Sequence, residues 1–289
     1  MITINEVSYS YNKHLMALKN IYLEIPKGFT LLMGENGSGK TTLLKALSSI
    51  LTVQGDIFID DIHVADKRYK HIISYLPQEF YIYPKLKVFD ILHFVASMKG
   101  ISKNNIRKEI ERIAEYVNIT SYLNTRFNKC SVGTRRRVGI AASLLGDPQA
   151  VFLDEPTAGI DPKERISFYK TIKNIFNNKY VLISTHILDD IEILADYIVM
   201  ISKGRIVYSG NYTDFIHSLD GRLFEYRVPK EGHHELISNV ISYTESNGIK
   251  VYRYFTNQKQ REIFGSTQIT PTIEDIWIYF HMKEDSCVE

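Results

Sequence analysis

Up to about residue 210, short apolar runs of strand length alternate with longer stretches in which apolar positions recur at helical spacing. That alternation predicts βαβ units around a largely parallel sheet. Strands are expected at Ile2 to Tyr9, Ile21 to Ile25, Phe29 to Met33, Asp56 to Ile59, Ile72 to Leu76, Ala150 to Leu153, Val181 to Ser184, Tyr197 to Ile201 and Arg205 to Ser209. Helices are expected at Lys40 to Ile50, Val88 to Met98, Asn104 to Val117, Thr134 to Leu145, Pro162 to Asn177 and Leu188 to Asp196. Pro162 suits a first helical turn. Val138, Ala141, Ala142 and Leu145 fall on one face of the fourth helix, the stripe a packed helix needs. After Asp220 two strand-like runs, Leu223 to Val228 and Lys250 to Phe255, flank an expected helix near His234 to Ser246, and an amphipathic helix opens at Thr272. The pattern predicts an α/β body over residues 1–219 and a small C-terminal α/β domain over 220–289.

Composition narrows the classes. With 44% hydrophobic and 24% charged residues, the 289-residue chain has the balance of a folded globular protein, not of a disordered or fibrous one. Its formal charge of +2 is far from the basic excess of non-specific nucleic-acid binders. Residues 220–289 carry 8 basic and 11 acidic side chains, so a polyanion site belongs in the earlier part. Cys130 and Cys287 stand alone, which disfavours a disulfide framework or a zinc site and points to a reducing compartment. No run of about 18 apolar residues occurs, and Met1 to Lys13 lacks a basic segment followed by an apolar one. The expectation is a cytoplasmic chain that neither spans a membrane nor is exported.

The strongest chemical signal follows the strand Phe29 to Met33. Gly34-Glu35-Asn36-Gly37-Ser38-Gly39-Lys40-Thr41-Thr42 fits G-x-x-x-x-G-K-[ST] in the order strand, loop, helix. Phosphate oxygens carry dense negative charge, so such a loop turns its backbone N–H groups inward, and glycine lets the chain approach closely. Gly34, Gly37 and Gly39 supply that freedom, with Asn36 and Ser38 between them. The helix start adds a positive dipole end, Lys40 can reach the β- and γ-phosphates, and the Thr41 hydroxyl can hold Mg²⁺, with Thr42 next along.

A second signal is the strand Ala150 to Leu153, which ends in Asp154-Glu155-Pro156. Two carboxylates then emerge at the edge where α/β sheets bind ligands. Asp154 can serve Mg²⁺, directly or through water. Glu155 points the opposite way in an extended chain and can polarise an attacking water. The chain has neither N-K-x-D nor D-x-x-G, so ATP is preferred over GTP. Tyr11, or failing it Tyr9, can stack on adenine.

In this order the motifs resemble the ATP-binding-cassette (ABC) ATPases, the nucleotide-binding subunits of ABC transporters, over about residues 1–215. The resemblance rests on the Gly34 to Thr42 loop, Leu76-Pro77-Gln78-Glu79, Cys130-Ser131-Val132-Gly133-Thr134, Phe152 to Pro162, and Ser184-Thr185-His186. It implies a P-loop NTPase core with a mixed sheet, an antiparallel β subdomain and a helical subdomain at about 79–148. It implies that Gln78 senses Mg²⁺ and the attacking water and couples the site to a permease. Asp161 would close a loop that faces a second cassette, and His186 would contact the γ-phosphate.

By the same resemblance Ser131 and Gly133 would grip the γ-phosphate held by the other cassette of a homodimer or heterodimer. The family's L-S-G-G-Q is altered here: Val132 puts a β-branched side chain in place of a glycine, and Thr134 a short hydroxyl in place of a long amide. Arg135 to Arg137 form a basic run that is more simply a partly solvated, partly paired helix face than a nucleic-acid patch. The aromatic segment Phe80 to Leu86 is expected to line a groove for a cytoplasmic helix of a membrane permease. The ending Thr270 to Asp275 before Ile276-Trp277-Ile278-Tyr279-Phe280 is similar to that of ATPase subunits of bacterial drug, peptide and lantibiotic exporters. Two alternatives stand beside an exporter ATPase. A soluble ABC-type ATPase would carry a long coiled-coil insertion, yet only 53 positions separate Gln78 from Ser131. A nucleotide-regulated binding subunit with weak hydrolysis would account for Val132 and Thr134.

Overall fold

Leu31, Leu32 and Met33 are fully buried, and their strand, β3 (Gly28–Met33), lies inside a six-stranded sheet. The computed structural model describes residues 1–12, 15–80, 84–176, 178–229, 239–246, 248–256 and 263–285, and they form two units, 1–209 and 210–289.

In the first unit the large sheet has the order β10 (Arg205–Asn211), β9 (Tyr197–Ser202), β3, β8 (Tyr180–Thr185), β7 (Ala150–Asp154), β6 (Ile73–Leu76). From β9 to β6 the neighbours are parallel. Strands β7 and β8 are buried at every position, as befits a parallel sheet covered on both faces. The register sets Met33 beside Thr185, Asp154 beside Ser184, and Leu76 beside Leu153. Four strand ends therefore align along one edge.

The second sheet of this unit is antiparallel, in the order β2 (Leu15–Ile25), β1 (Ile2–Asn12), β4 (Gln54–Ile59), β5 (Ile62–His63). Ile4, Val7, Leu18 and Leu23 from it pack with Leu43, Leu44 and Leu47 of α1 (Lys40–Leu47). Strand β2 begins six residues earlier than its pattern predicts. Leu15 and Met16 are exposed there, and register shifts and a left-handed Asn20 (φ 49°) break the alternation. A single turn, α2 (Tyr69–Ile72), takes the first residue expected in β6.

Three helices form the expected helical subdomain: α3 (Val88–Met98), α4 (Lys103–Tyr116) and α5 (Val132–Leu144). Ile106, Ile110 and Ile113 of α4 and Val138 and Ala141 of α5 are its buried stripe. Helix α5 starts two residues before the expected Thr134, because Ser131 caps it: Thr134 N–H donates to Ser131 Oγ at 3.1 Å. Helix α6 (Pro162–Ile175) has its proline in the first turn, and α7 (Asp190–Leu194) is shorter than the expected Leu188 to Asp196.

The second unit holds α8 (Tyr212–Ile216), an antiparallel sheet ordered β12 (Val240–Ser246), β13 (Ile249–Phe255), β11 (Leu223–Pro229), β14 (Thr267–Gln268), and α9 (Ile273–Asp285). The expected helix near His234 to Ser246 is corrected: residues 240–246 are strand β12, and 234–238 lie outside the described residues. Val-Ile-Ser-Tyr-Thr has strand propensity, and pairing with β13 from Val240 to Ser246 decides the outcome. Thr272 opens α9 as expected. Asp275 N–H donates to Thr272 Oγ1 at 3.2 Å and Thr272 N–H to Asp275 Oδ2 at 2.9 Å, a reciprocal cap. Among the described residues no helix is long and apolar enough to cross a membrane.

Candidate functional site

The loop leaving β3 is shaped by glycine at two points where nothing larger fits. A Cβ on Gly34 would lie 2.3 Å from the Ile201 carbonyl oxygen, and Gly39, the cap of α1, has φ +114° with its would-be Cβ 2.8 Å from the Ala17 carbonyl. Gly204 N–H, in the turn between β9 and β10, donates to the Ser38 carbonyl at 2.9 Å and props the loop from behind. Lys40 is buried and its Nζ donates to the Gly34 and Glu35 carbonyls, both at 2.8 Å. Burial draws its ammonium below the usual lysine range, against the pull of Glu155, Asp154 and Glu35.

In front of the loop lies a cavity of about 680 Å³. Tyr11, Asn36, Gly37, Gly39, Lys40, Thr41, Thr42, Gln78 and Glu155 all line it. Gly34 and Ser38 do not line it, and the buried Ser38 Oγ has no hydrogen-bond partner among the described residues. The Tyr11 and Thr42 hydroxyls are 3.2 Å apart, and Tyr11 is half exposed with its ring edge-on to Tyr9. Met16, Lys19 and Lys203, which the sequence reading did not single out, also line the cavity. They come from β2 and the β9–β10 turn, and no motif marks them.

At the end of β7, two strands from β3, Asp154 is buried. Ser184 Oγ donates to Asp154 Oδ1 at 2.6 Å and accepts from Glu155 N–H at 2.8 Å, while Tyr75 OH donates to Asp154 Oδ2 at 3.3 Å. Burial and the Asp154 charge push the Tyr75 phenol well above its usual range, so it stays a donor. The extended geometry expected for Glu155 is corrected. Glu155 follows the end of β7 in the left-handed region, φ 44°, so the chain turns there and swings the side chain towards the cavity. One oxygen, Oε2, accepts from Gln78 Nε2 at 3.1 Å; the other, Oε1, is 3.4 Å from His186 Nδ1.

Ser131, Gly133 and Asp161 do not join this cavity. Ser131 Oγ lies 2.9 Å from Thr134 Oγ1. The Glu164 carboxylate packs over Gly133, with Oε1 2.4 Å from a would-be Cβ. Asp161 caps α6, its Oδ1 accepting from Lys163 N–H and Glu164 N–H, both at 3.1 Å. Two of the three basic residues of α5 are spent on carbonyls. Arg135 donates to Cys130 O and Asn128 O, and Arg136 to Gln78 O and Ala158 O.

A polyamide loop, one ammonium, an unpartnered hydroxyl and a bracketed carboxylate are the parts of a nucleoside-triphosphate site. The ABC transporter family model matches residues 18–158. The chain is 30% identical over 226 residues to the linearmycin resistance ATP-binding protein LnrL of Bacillus subtilis, spanning 76% of this chain and 72% of that one. The chain belongs to the ATP-binding subunits of ABC transporters. The cassette is also 33% identical over 222 residues to ABC transporter A family member 8 of Dictyostelium discoideum, covering 72% of this chain and 26% of that much longer protein. Among solved structures, the cassette superposes on cbiO1 of Clostridium perfringens with a TM-score of 0.66 at 26% identity, covering 74% of this chain and 89% of that one. The family is one of ATPases, and ATP is the nucleotide its members bind.

The oxygens of Thr41, Asp154 and the Gln78 amide suit Mg²⁺, which is commonly held by one or two protein oxygens together with substrate phosphates. The buried, doubly hydrogen-bonded Asp154, next in sequence to the cavity-lining Glu155, fits that pattern.

Proposed function

We propose that this cassette hydrolyses ATP between two cassettes and thereby drives a membrane permease that exports an amphipathic compound such as a peptide or antibiotic. The observation that carries the proposal is Glu155, held between Gln78 and His186 at the mouth of the phosphate-loop cavity. Tyr11 stacks on adenine, and the loop amides with Lys40 hold the triphosphate tail. Glu155 accepts a proton from the attacking water as its oxygen bonds to the γ-phosphorus and the bond to the ADP oxygen breaks. Gln78 orients that water, and His186 donates to a γ-phosphate oxygen. Thr41 and Gln78, with Asp154, would hold Mg²⁺, which neutralises phosphate charge when bound.

Ser131 and Gly133 of a second cassette close the site, with Asp161 at the boundary. That Ser131 and Gly133 do not line their own chain's cavity supports a site completed across a dimer. A groove of about 350 Å³ lined by Gln78, Glu79, Phe80, Pro84, Phe127 and Val132 is suited to a permease helix; Tyr81 to Tyr83 lie outside the described residues. A cassette working on such a permease sits at the cytoplasmic face of the membrane. Export of an amphipathic compound is supported by the C-terminal resemblance and by the likeness to a linearmycin resistance protein.

The test is Glu155→Gln in the cassette purified with its permease. Phosphate release should fall at least 100-fold while ATP stabilises a dimer seen by gel filtration. Turnover near that of the unaltered complex would refute the assignment. A nucleotide-regulated subunit with weak hydrolysis is the second reading, favoured by the Ser131–Thr134 hydroxyl pair in the altered signature. Wild-type turnover no faster than that of Glu155→Gln would support it.

A further inference from the structure

One buried carboxylate stands outside the machinery described so far. Asp190, the first residue of α7, is fully buried, and three residues converge on it. Thr185 Oγ1 donates to Asp190 Oδ2 at 2.6 Å, and Tyr169 OH donates to the same oxygen at 2.8 Å. Arg165 Nε lies 3.3 Å from Oδ1 and supplies the opposite charge.

The chain of bonds continues at both ends. Because the Tyr169 proton goes to Asp190, the phenol oxygen accepts from Thr157 Oγ1, 2.9 Å away. Thr185 Oγ1 in turn accepts from Ile187 N–H at 3.0 Å. Thr157, Tyr169 and Thr185 are all at least nine-tenths buried. Burial raises Asp190 above the usual carboxylate range and Tyr169 far above that of a phenol, so the phenol remains a donor.

The positions of the two ends give the network its meaning. Thr185 and Ile187 bracket His186, whose ring reaches Glu155 but whose side chain is half exposed. Thr157 lies two residues beyond Glu155, in the loop that runs on to Asp161. A single carboxylate thus fastens the His186 turn and, through Tyr169, the loop that carries Glu155. Both hydroxyls donate to Oδ2 while Arg165 faces Oδ1, so an amide that keeps its oxygen on the hydroxyls turns its N–H₂ on the guanidinium and removes the opposite charge.

We propose that Asp190 is a positioning residue for γ-phosphate chemistry, fixing the His186 turn through Thr185 and tying it to the Glu155 loop through Tyr169 and Thr157. The inference rests on the ATPase reading above. The deepest part of the network is built from residue types that no phosphate motif calls for.

The experiment measures kcat and KM for Mg-ATP in the permease complex for Asp190→Asn, Tyr169→Phe, Thr185→Val and Thr185→Ser. In parallel, the His186 ring resonances of ¹³C-histidine-labelled cassette are recorded, assigned with His186→Gln. The expected result is at least a tenfold loss of kcat in Asp190→Asn and Thr185→Val, a smaller loss in Tyr169→Phe, and KM within about twofold throughout. Thr185→Ser, which keeps the hydroxyl, should recover most of the rate. The His186 resonances should move in Thr185→Val and stay in place in Thr185→Ser.

Variants that melt earlier but keep kcat within twofold and leave the His186 resonances unchanged would overturn the proposal, since that is what a purely structural network gives. Should Asp190→Asn fail to fold, the two Thr185 variants decide by themselves. An unaltered complex without phosphate release would sink the ATPase reading, and the resonances would still judge the positioning.

Discussion

Ser184 is fully buried and makes two bonds: it donates to Asp154 Oδ1 at 2.6 Å and accepts from Glu155 N–H at 2.8 Å. Ser184→Ala removes both, leaving a partly buried amide unpaired and a buried carboxylate short of a donor. Such groups cost about 1–3 kcal/mol each, so the pair should cost about 2–6 kcal/mol. For a unit of about 200 residues, at about 2–4 °C per kcal/mol, that lowers the melting temperature by roughly 4–24 °C. The turn that aims Glu155 also loses its anchor, so ATPase should fall at least tenfold in the surviving folded protein. Scanning calorimetry with and without Mg-ATP, and phosphate release measured well below the new melting point, read the two effects separately. A melting temperature within about 1 °C of the unaltered chain would refute the view that Ser184 supports the two carboxylates.

Gly34→Ala should destabilise the cassette by about 1–3 kcal/mol in urea titration and weaken ATP binding, because the new Cβ meets the backbone oxygen of Ile201 at 2.3 Å; unchanged values for both would refute the close approach. Lys99 donates to Leu145 O at 2.7 Å and is drawn down to about 8 by burial, below the ordinary lysine value near ~10.4 that applies to the unfolded chain. The unfolded chain then holds its proton over a range where the folded one has released it. Stability from this site should therefore rise between about pH 8 and about pH 10 and stay flat below. Lys99→Met should lose that slope, and an equal slope in both proteins would contradict the assignment.

The phosphate loop was legible in the sequence because strand, glycines, lysine and hydroxyl are neighbours, and local spacing alone specifies them. The supports were not. Ser184 and Asp154 are 30 positions apart, and Thr157, Tyr169 and Asp190 are joined only by the packing of α6 and α7 against the sheet. The Glu155 turn escaped the strand alternation because a left-handed residue ends the period at its own position. Strand β12 stands where a helix is expected for a related reason: its polar residues alternate weakly, and pairing with β13 imposes the strand.

Lys40 clasps two carbonyls of its own loop. It is thus a cross-brace as well as a positive charge, and a variant lacking it would slacken the loop while also removing the electrostatic attraction. Lost nucleotide affinity in Lys40→Ala would mix the two effects. Separating them calls for a neutral side chain of equal length that can still donate to Gly34 and Glu35.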